Sequence, residues 1–201
     1  MIPRAITKEE LAALPIRRYD GEVSLAATPG ELERAMEEIR AERVAGFDTE
    51  TRPAFRKGES YLPSLIQVAT ARRVHLFPLS RLDCSAAVAE LLGSPAIVKT
   101  GIGLAYDLGQ LKRLFPFDAA AVVDLGEIAK RHGLQQSGVR NLSGLFLGFR
   151  IPKGAQTSNW AAPRLSEQQL RYAATDAWAC RELYLRFADL GMLGSAAGPA
   201  S

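Results

Sequence analysis

The sequence predicts one α/β domain in which helices are layered against a mixed β-sheet. Three observations carry this expectation. Short apolar segments at Val44–Thr49, Ser64–Ala69 and Arg73–Phe77 succeed one another with no helix between them, as in a hairpin meander. Further short apolar segments at Ala96–Lys99 and Ala121–Asp124 then alternate with helical stretches. Capping-box spacings at Thr28/Glu31 and Ser166/Gln169 mark two helix starts.

Taken in chain order, the segment to Ala27 is mixed, with an edge strand expected at Glu22–Ala26. Pro29 suits the first position of a helix running to about Arg43, with Leu32, Ala35, Met36 and Ile39 on one face. Val44–Thr49 reads as a buried strand. A polar stretch with Pro and Gly, Arg52–Pro63, separates it from Ser64–Ala69, whose hairpin partner is Arg73–Phe77. Helices are expected over Ser80–Leu92 and Leu104–Phe115, on either side of the strand Ala96–Lys99. The last strand, Ala121–Asp124, leads into helical segments over Leu125–His132 and Val139–Leu147. The longest helix opens at Glu167 and runs to about Leu190. These elements divide the chain into an N-terminal extension packed on the domain (1–27), the domain itself (28–193) and a flexible tail (194–201).

With 201 residues, 47% of them hydrophobic, the chain is long enough to bury a full core without staples. Cys84 and Cys180 lie far apart and lack the paired spacing of a zinc site or disulfide framework, so they read as core residues of a reduced, cytoplasmic protein. No apolar run approaches the ~20 residues that span a bilayer, and residues 1–10 do not read as a signal peptide, so no membrane partner is expected. The net charge of +3 permits a nucleic-acid partner without requiring one.

The chemistry-bearing residues are acidic. In Gly46-Phe47-Asp48-Thr49-Glu50 two carboxylates stand two residues apart at the end of an apolar strand, so both project from one face. Two such neighbours repel unless a cation neutralises them, and hard divalent ions take all-oxygen ligands. Asp107 falls in the first turn of a helix that follows a strand and a Gly-rich turn, where the helix dipole also favours negative charge. Gly101 and Gly103 do not complete a dinucleotide fingerprint, because Tyr106 stands where the third glycine belongs; no nucleotide cofactor is expected. On the long helix Tyr172 and Asp176 are four residues apart and share a face, among Ala173, Ala174, Ala177 and Ala179, which leave room for close approach to the sheet.

Taken together and in this order, the motifs FDTETRPAF with SLIQVA, VKTGIGLAYDLGQL, and SNWAAPRLSEQQLRYAATDAWA resemble those of the DEDDy 3′-5′ exonucleases. That superfamily includes ribonuclease D, the proofreading domains of family A polymerases and the Werner-syndrome exonuclease; the resemblance spans Gly46 to Leu185. It implies a ribonuclease H-like fold, a mixed five-stranded sheet flanked by helices. It also implies that Asp48, Glu50, Asp107, Tyr172 and Asp176 are catalytic, the four carboxylates holding two Mg²⁺ or Mn²⁺ ions, and that Tyr172 orients the attacking water. The histidine subgroup would carry its catalytic His where this chain has Arg171, so the site is of the tyrosine type. Substrate contacts are expected from Thr49, Arg52, Phe55, Lys57, Asn159 and Trp160, the basic residues to phosphates and the aromatic ones by stacking on bases.

The expected activity is phosphodiester hydrolysis from the 3′ end of nucleic acid, releasing nucleoside 5′-monophosphates. The Werner-like motifs, and the lack of the further C-terminal helical domains of ribonuclease D, lean the substrate towards single-stranded or 3′-ended DNA. The alternative is ribonuclease D-like trimming of RNA. A third reading, a nucleic-acid-binding module without catalysis, is disfavoured because all four carboxylates are present.

Overall fold

The computed structural model describes residues 4–56 and 58–194. The tail at 195–201 and the candidate phosphate contact Lys57 lie outside the described residues.

The described elements run in the order α1 (Lys8–Ala13), β1 (Glu22–Leu25), α2 (Pro29–Arg40), β2 (Val44–Thr51), β3 (Pro63–Ala69), β4 (Arg73–Pro78), α3 (Ser85–Gly93), β5 (Val98–Gly101), α4 (Leu104–Leu111), β6 (Val122–Asp124), α5 (Leu125–Arg131), α6 (Val139–Leu147) and α7 (Glu167–Asp189). One sheet of six strands, in the order β1-β4-β3-β2-β5-β6, forms the middle layer. β2, β3 and β4 form the antiparallel meander, whereas β5 joins β2, β6 joins β5 and β1 joins β4 in parallel. The α/β class and the mixed sheet agree with expectation. The sheet exceeds the five-strand core by β1, which pairs from Glu22–Arg73 to Leu25–Leu76 and so becomes an integral edge.

Strand periodicity separates two cores. Ala45, Phe47, Ile66, Val68 and Phe77 face one side and pack with Ala35, Met36 and Ile39 of α2 and Val88, Leu91 and Leu92 of α3. Leu65, Ala69, Val74 and Leu76 face the other side, against Ala173, Ala174 and Ala177 of α7. A third cluster joins α5 and α6 to the C-terminal half of α7 through Leu125, Ile128, Leu142, Leu183 and Phe187.

Helix starts follow the capping chemistry. Thr28 accepts from the Glu31 amide with Pro29 at the first helical position, and Ser166 and Gln169 form the reciprocal box that opens the 23-residue α7. α1 was not expected, although Thr7 and Glu10 make the same box. Its six residues bury none of their number, so no apolar stripe announces it. α3 begins at Ser85 instead of Ser80, and α4 ends at Leu111 instead of Phe115. Cys84 and Cys180 are free and buried. No described helix is long and apolar enough to cross a membrane.

Candidate active site

The site forms where α7 crosses β2, and Gly46 makes the crossing possible. A β-carbon at position 46 would lie 2.0 Å from the Ala177 carbonyl oxygen and 3.0 Å from the Arg181 amide nitrogen, so only glycine lets the helix backbone rest on the strand. Gly46, Asp48 and Glu50 share a face by strand period. The contact that seats α7 therefore also sets its Asp176 over the two strand carboxylates. The register of β2 with β3 breaks between Glu50 and Thr51, ending the regular ladder just after the second carboxylate.

One carboxylate oxygen from each of Asp48, Glu50 and Asp176 lies within 4.8 Å of the others. Glu50 and Asp176 are buried and Asp48 is partly so. Asp107 stands outside this three-oxygen group. It is tied to the group through Thr49, whose hydroxyl donates to Asp107 Oδ1 at 2.5 Å, while the Thr49 amide donates to Asp48 Oδ1 at 2.9 Å. The helix that carries Asp107 starts at Gly103, in the left-handed region at φ 76°, and its first amide, Leu104, donates to Asp124 Oδ2 at 2.9 Å. Asp124 also accepts from the Gly126 and Glu127 amides, so one carboxylate braces the starts of α4 and α5 beneath the site.

Burial and mutual repulsion leave these acids reluctant to ionise. Burial, and then the charges of Asp48, Asp176 and Asp107, push Glu50 up to about 10. Burial, Asp176 and Asp107 hold Asp48 well above the usual carboxylate range, against the opposing Thr49 amide. Asp176 is raised by burial, with the Tyr172 hydroxyl and Arg140 opposing; Asp107 is raised by burial, with the Thr49 hydroxyl opposing. The Tyr172 phenol is held far above its ordinary value by burial and by the neighbouring Asp176 and Glu50. Clustered oxygens that resist charge in the absence of a cation, with no nitrogen or sulfur among the three donors, suit a hard divalent cation.

Tyr172, half-buried, is the phenol beside this group. Its ring lies 6.1 Å from that of Trp160 and packs against Gly154, where a β-carbon would come 2.6 Å from Tyr172 Cδ2. Asp48, Thr49, Glu50, Tyr172 and Asp176 line one cleft with Ile102, Gly138, Val139, Arg140, Asn141, Gln156 and Cys180.

With this geometry in place, comparison with known proteins is informative. The family described as "3'-5' exonuclease" matches residues 24–191. The chain belongs to the 3′-5′ exonuclease family. Among the relatives of this exonuclease-family chain, the mouse (Mus musculus) bifunctional 3'-5' exonuclease/ATP-dependent helicase WRN is 31% identical over 155 residues, covering 74% of this chain and 11% of WRN. Ribonuclease D of Haemophilus influenzae is 35% identical over 145 residues, covering 70% of this chain and 35% of the relative. The crystal structure of the Aedes aegypti Nibbler EXO domain shares the fold, with a TM-score of 0.76 at 23% identity, over 87% of this chain and 94% of that domain. The chain thus spans a minor part of the length of WRN and of ribonuclease D.

The substrate contacts expected from sequence fare unevenly in the exonuclease fold. Thr49 lines the cleft, whereas Arg52, Phe55, Asn159 and Trp160 do not. Trp160 requires a correction: it is 2% exposed, packed in the core beneath α7 with its indole N–H directed to the Gln156 carbonyl, and so offers no face to a base. Phe55 is 82% exposed and free to stack, and Arg52 lies 4.7 Å over the Tyr61 ring. Asn159 accepts from the Ala161 amide through its side chain, which organises the loop before α7. Sequence reasoning missed Arg140, Asn141 and Gln156. They come from the start of α6 and from a loop, where no spacing relates them to the acidic motifs.

Proposed function

We propose that this chain is a metal-dependent 3′-5′ exonuclease that releases nucleoside 5′-monophosphates and acts by preference on single-stranded or 3′-ended DNA. The observation that carries the reading is the convergence of Asp48, Glu50 and Asp176 within 4.8 Å in a cleft that also holds Tyr172. Membership of the exonuclease family supports it.

Asp48, Glu50 and Asp176 would hold Mg²⁺ or Mn²⁺, and Asp107, tied to Asp48 through Thr49, would help to hold a second ion. Bound divalent ions supply Lewis acidity at the phosphoryl centre and lower the proton affinity of water. Hydrolysis adds a water oxygen to the terminal phosphorus and breaks the P–O3′ bond; the leaving O3′ takes up a proton. Tyr172 stays protonated, because burial and its anionic neighbours hold the phenol proton, so it acts as a hydrogen-bond donor that orients oxygen and not as a base. Arg140, on the cleft wall and steadied by its Nε–H bond to the Ile151 carbonyl, contributes positive charge next to an anionic substrate.

RNA trimming is the second reading, favoured by the 35% identity with a ribonuclease D. The same proposal places the chain in a reducing, cytoplasmic setting, in which Cys84 and Cys180 stay buried core thiols. The test is digestion of matched 5′-labelled DNA and RNA strands with Mg²⁺ or Mn²⁺. Stepwise shortening from the 3′ end, abolished by chelation, is expected, with DNA degraded faster. Faster RNA decay selects the second reading; no metal-dependent product from either strand ends the enzymatic one.

A further inference from the structure

The centre of the sheet hides a polar group that the reaction, as described, does not use. Gln67 on β3 is fully buried, at 0% exposure, and among the described residues neither its Oε1 nor its Nε2 has a hydrogen-bond partner. Its strand neighbours of like parity, Leu65 and Ala69, pack under Ala173, Ala174 and Ala177 of α7, while Ile66 and Val68 face the opposite core. The amide is therefore sealed between sheet and helix, on the face that carries the carboxylates. In the β2–β3 ladder its direct partner is Asp48. Opposed residues of an antiparallel pair have β-carbons about 4.5–5.5 Å apart, well within the reach of a glutamine amide. Asp48 Oδ1 is already taken by the Thr49 amide, leaving its second oxygen to be oriented.

We infer that Gln67 is a positioning residue: its side-chain amide donates to the Asp48 carboxylate when Asp48 holds a divalent cation, fixing the orientation in which Asp48 meets Glu50 and Asp176. An apolar side chain of the same length would fill this space without leaving polar atoms unpaired, so the amide has a cost in the metal-free protein, and a bond from Nε2 to Asp48 removes the part of it that belongs to the nitrogen. Partners that orient metal ligands in this way typically change metal affinity or activity about 10–100-fold when lost. The inference rests on the reading of Asp48, Glu50 and Asp176 as metal ligands.

The test compares wild type with Gln67→Met, which keeps length and loses both polar atoms. Expected for Gln67→Met are metal-free stability equal to or above wild type, Mn²⁺ affinity about tenfold weaker by calorimetry, and kcat lowered about 10–100-fold with KM for the oligonucleotide unchanged. A folded variant with wild-type Mn²⁺ affinity and kcat overturns the inference. If Gln67→Met does not fold, the wild-type protein decides: saturating Mg²⁺ should move one of the two Gln67 Nε2 protons downfield in the NMR spectrum and leave its geminal partner near its starting position. Unchanged protons, or a parallel drift of both, count against it. Wild-type protein that binds no Mn²⁺ sinks the metal-site reading itself, an outcome distinct from equal binding by wild type and variant.

Discussion

Individual side chains in the cleft trade stability for function. Between its ordinary value of 4.5 and about 10, Glu50 keeps a proton in the folded chain that it loses in the unfolded one. The native state binds more protons over that window, so stability falls as pH rises through it and is regained on acidification towards the unfolded value. Chelated protein is therefore expected to melt lower at pH 8 than at pH 6. Added Mn²⁺ should raise the Tm more at pH 8, because fewer protons then compete with the ion for the carboxylates; equal shifts at both pH values in differential scanning calorimetry would exclude this linkage. Asp48→Ala and Asp176→Ala should each lower kcat by at least about 10³-fold, since groups that act as a unit fail together. Both should leave the metal-free fold intact or firmer by removing a buried carboxyl from a crowded cluster, and circular dichroism melts alongside single-strand digestion check both halves. Asp48, Glu50, Tyr172 and Asp176 stood out in the sequence through the resemblance of their motifs to those of the DEDDy exonucleases; the two- and four-residue spacings showed only that each pair shares a face. The offset of Asp107, tied in through Thr49, was not legible, since it depends on where α4 meets β2.

At the level of elements, the β2–α7 crossing decides whether the carboxylates meet. Gly46→Ala would drive a β-carbon into the Ala177 carbonyl, where backbone and not a flexible side chain must yield. Overpacking of this kind costs about 1–3 kcal/mol, and here the yielding part is the helix that carries Asp176. The expected result is a lower urea midpoint together with a loss of Mn²⁺ affinity; a variant that loses stability while binding Mn²⁺ as tightly as wild type would show that the crossing does not set the site. The N-terminus of α7 offers a control. Ser166→Ala removes one half of the capping box, costing roughly 1 kcal/mol, but it lies more than a turn before Tyr172, so kcat should change less than twofold in steady-state assays. The strands and long helix were legible from apolar period and capping residues. The burial of Trp160 was not, because an aromatic in a polar loop has no periodic neighbours to say which way it points.

Across the whole molecule, the N-terminal segment ties distant parts of the site's frame. The Ile6 amide donates to the Gln136 side chain, the Arg17 amide to the Arg150 carbonyl, and the Tyr19 amide to Thr175 Oγ1, while Arg171 donates to the Gly21 carbonyl. Arg171 and Thr175 flank Tyr172 and Asp176 on α7, so this strap holds the outer side of α7. Deleting residues 1–20 should lower the Tm by several degrees, at about 2–4 °C per kcal/mol for a chain of this size, and reduce kcat more than Mn²⁺ affinity; an unchanged melt and rate would assign the strap no part in the site. The amino-acid sequence by itself determined the α/β class, the order of strands and helices from β1 onward, and, through motifs that resemble those of a known family, the candidate acidic and phenolic residues. These follow from local periodicity, capping chemistry and short motifs, which neighbours in the chain impose. Only the tertiary structure decided which carboxylates share one set of contacts, that β1 completes the sheet, that Trp160 is core, and that Gln67 lies sealed beside Asp48. Each of those depends on contacts between segments far apart in the chain, fixed by close packing and by burial of polar groups, and no local pattern encodes them.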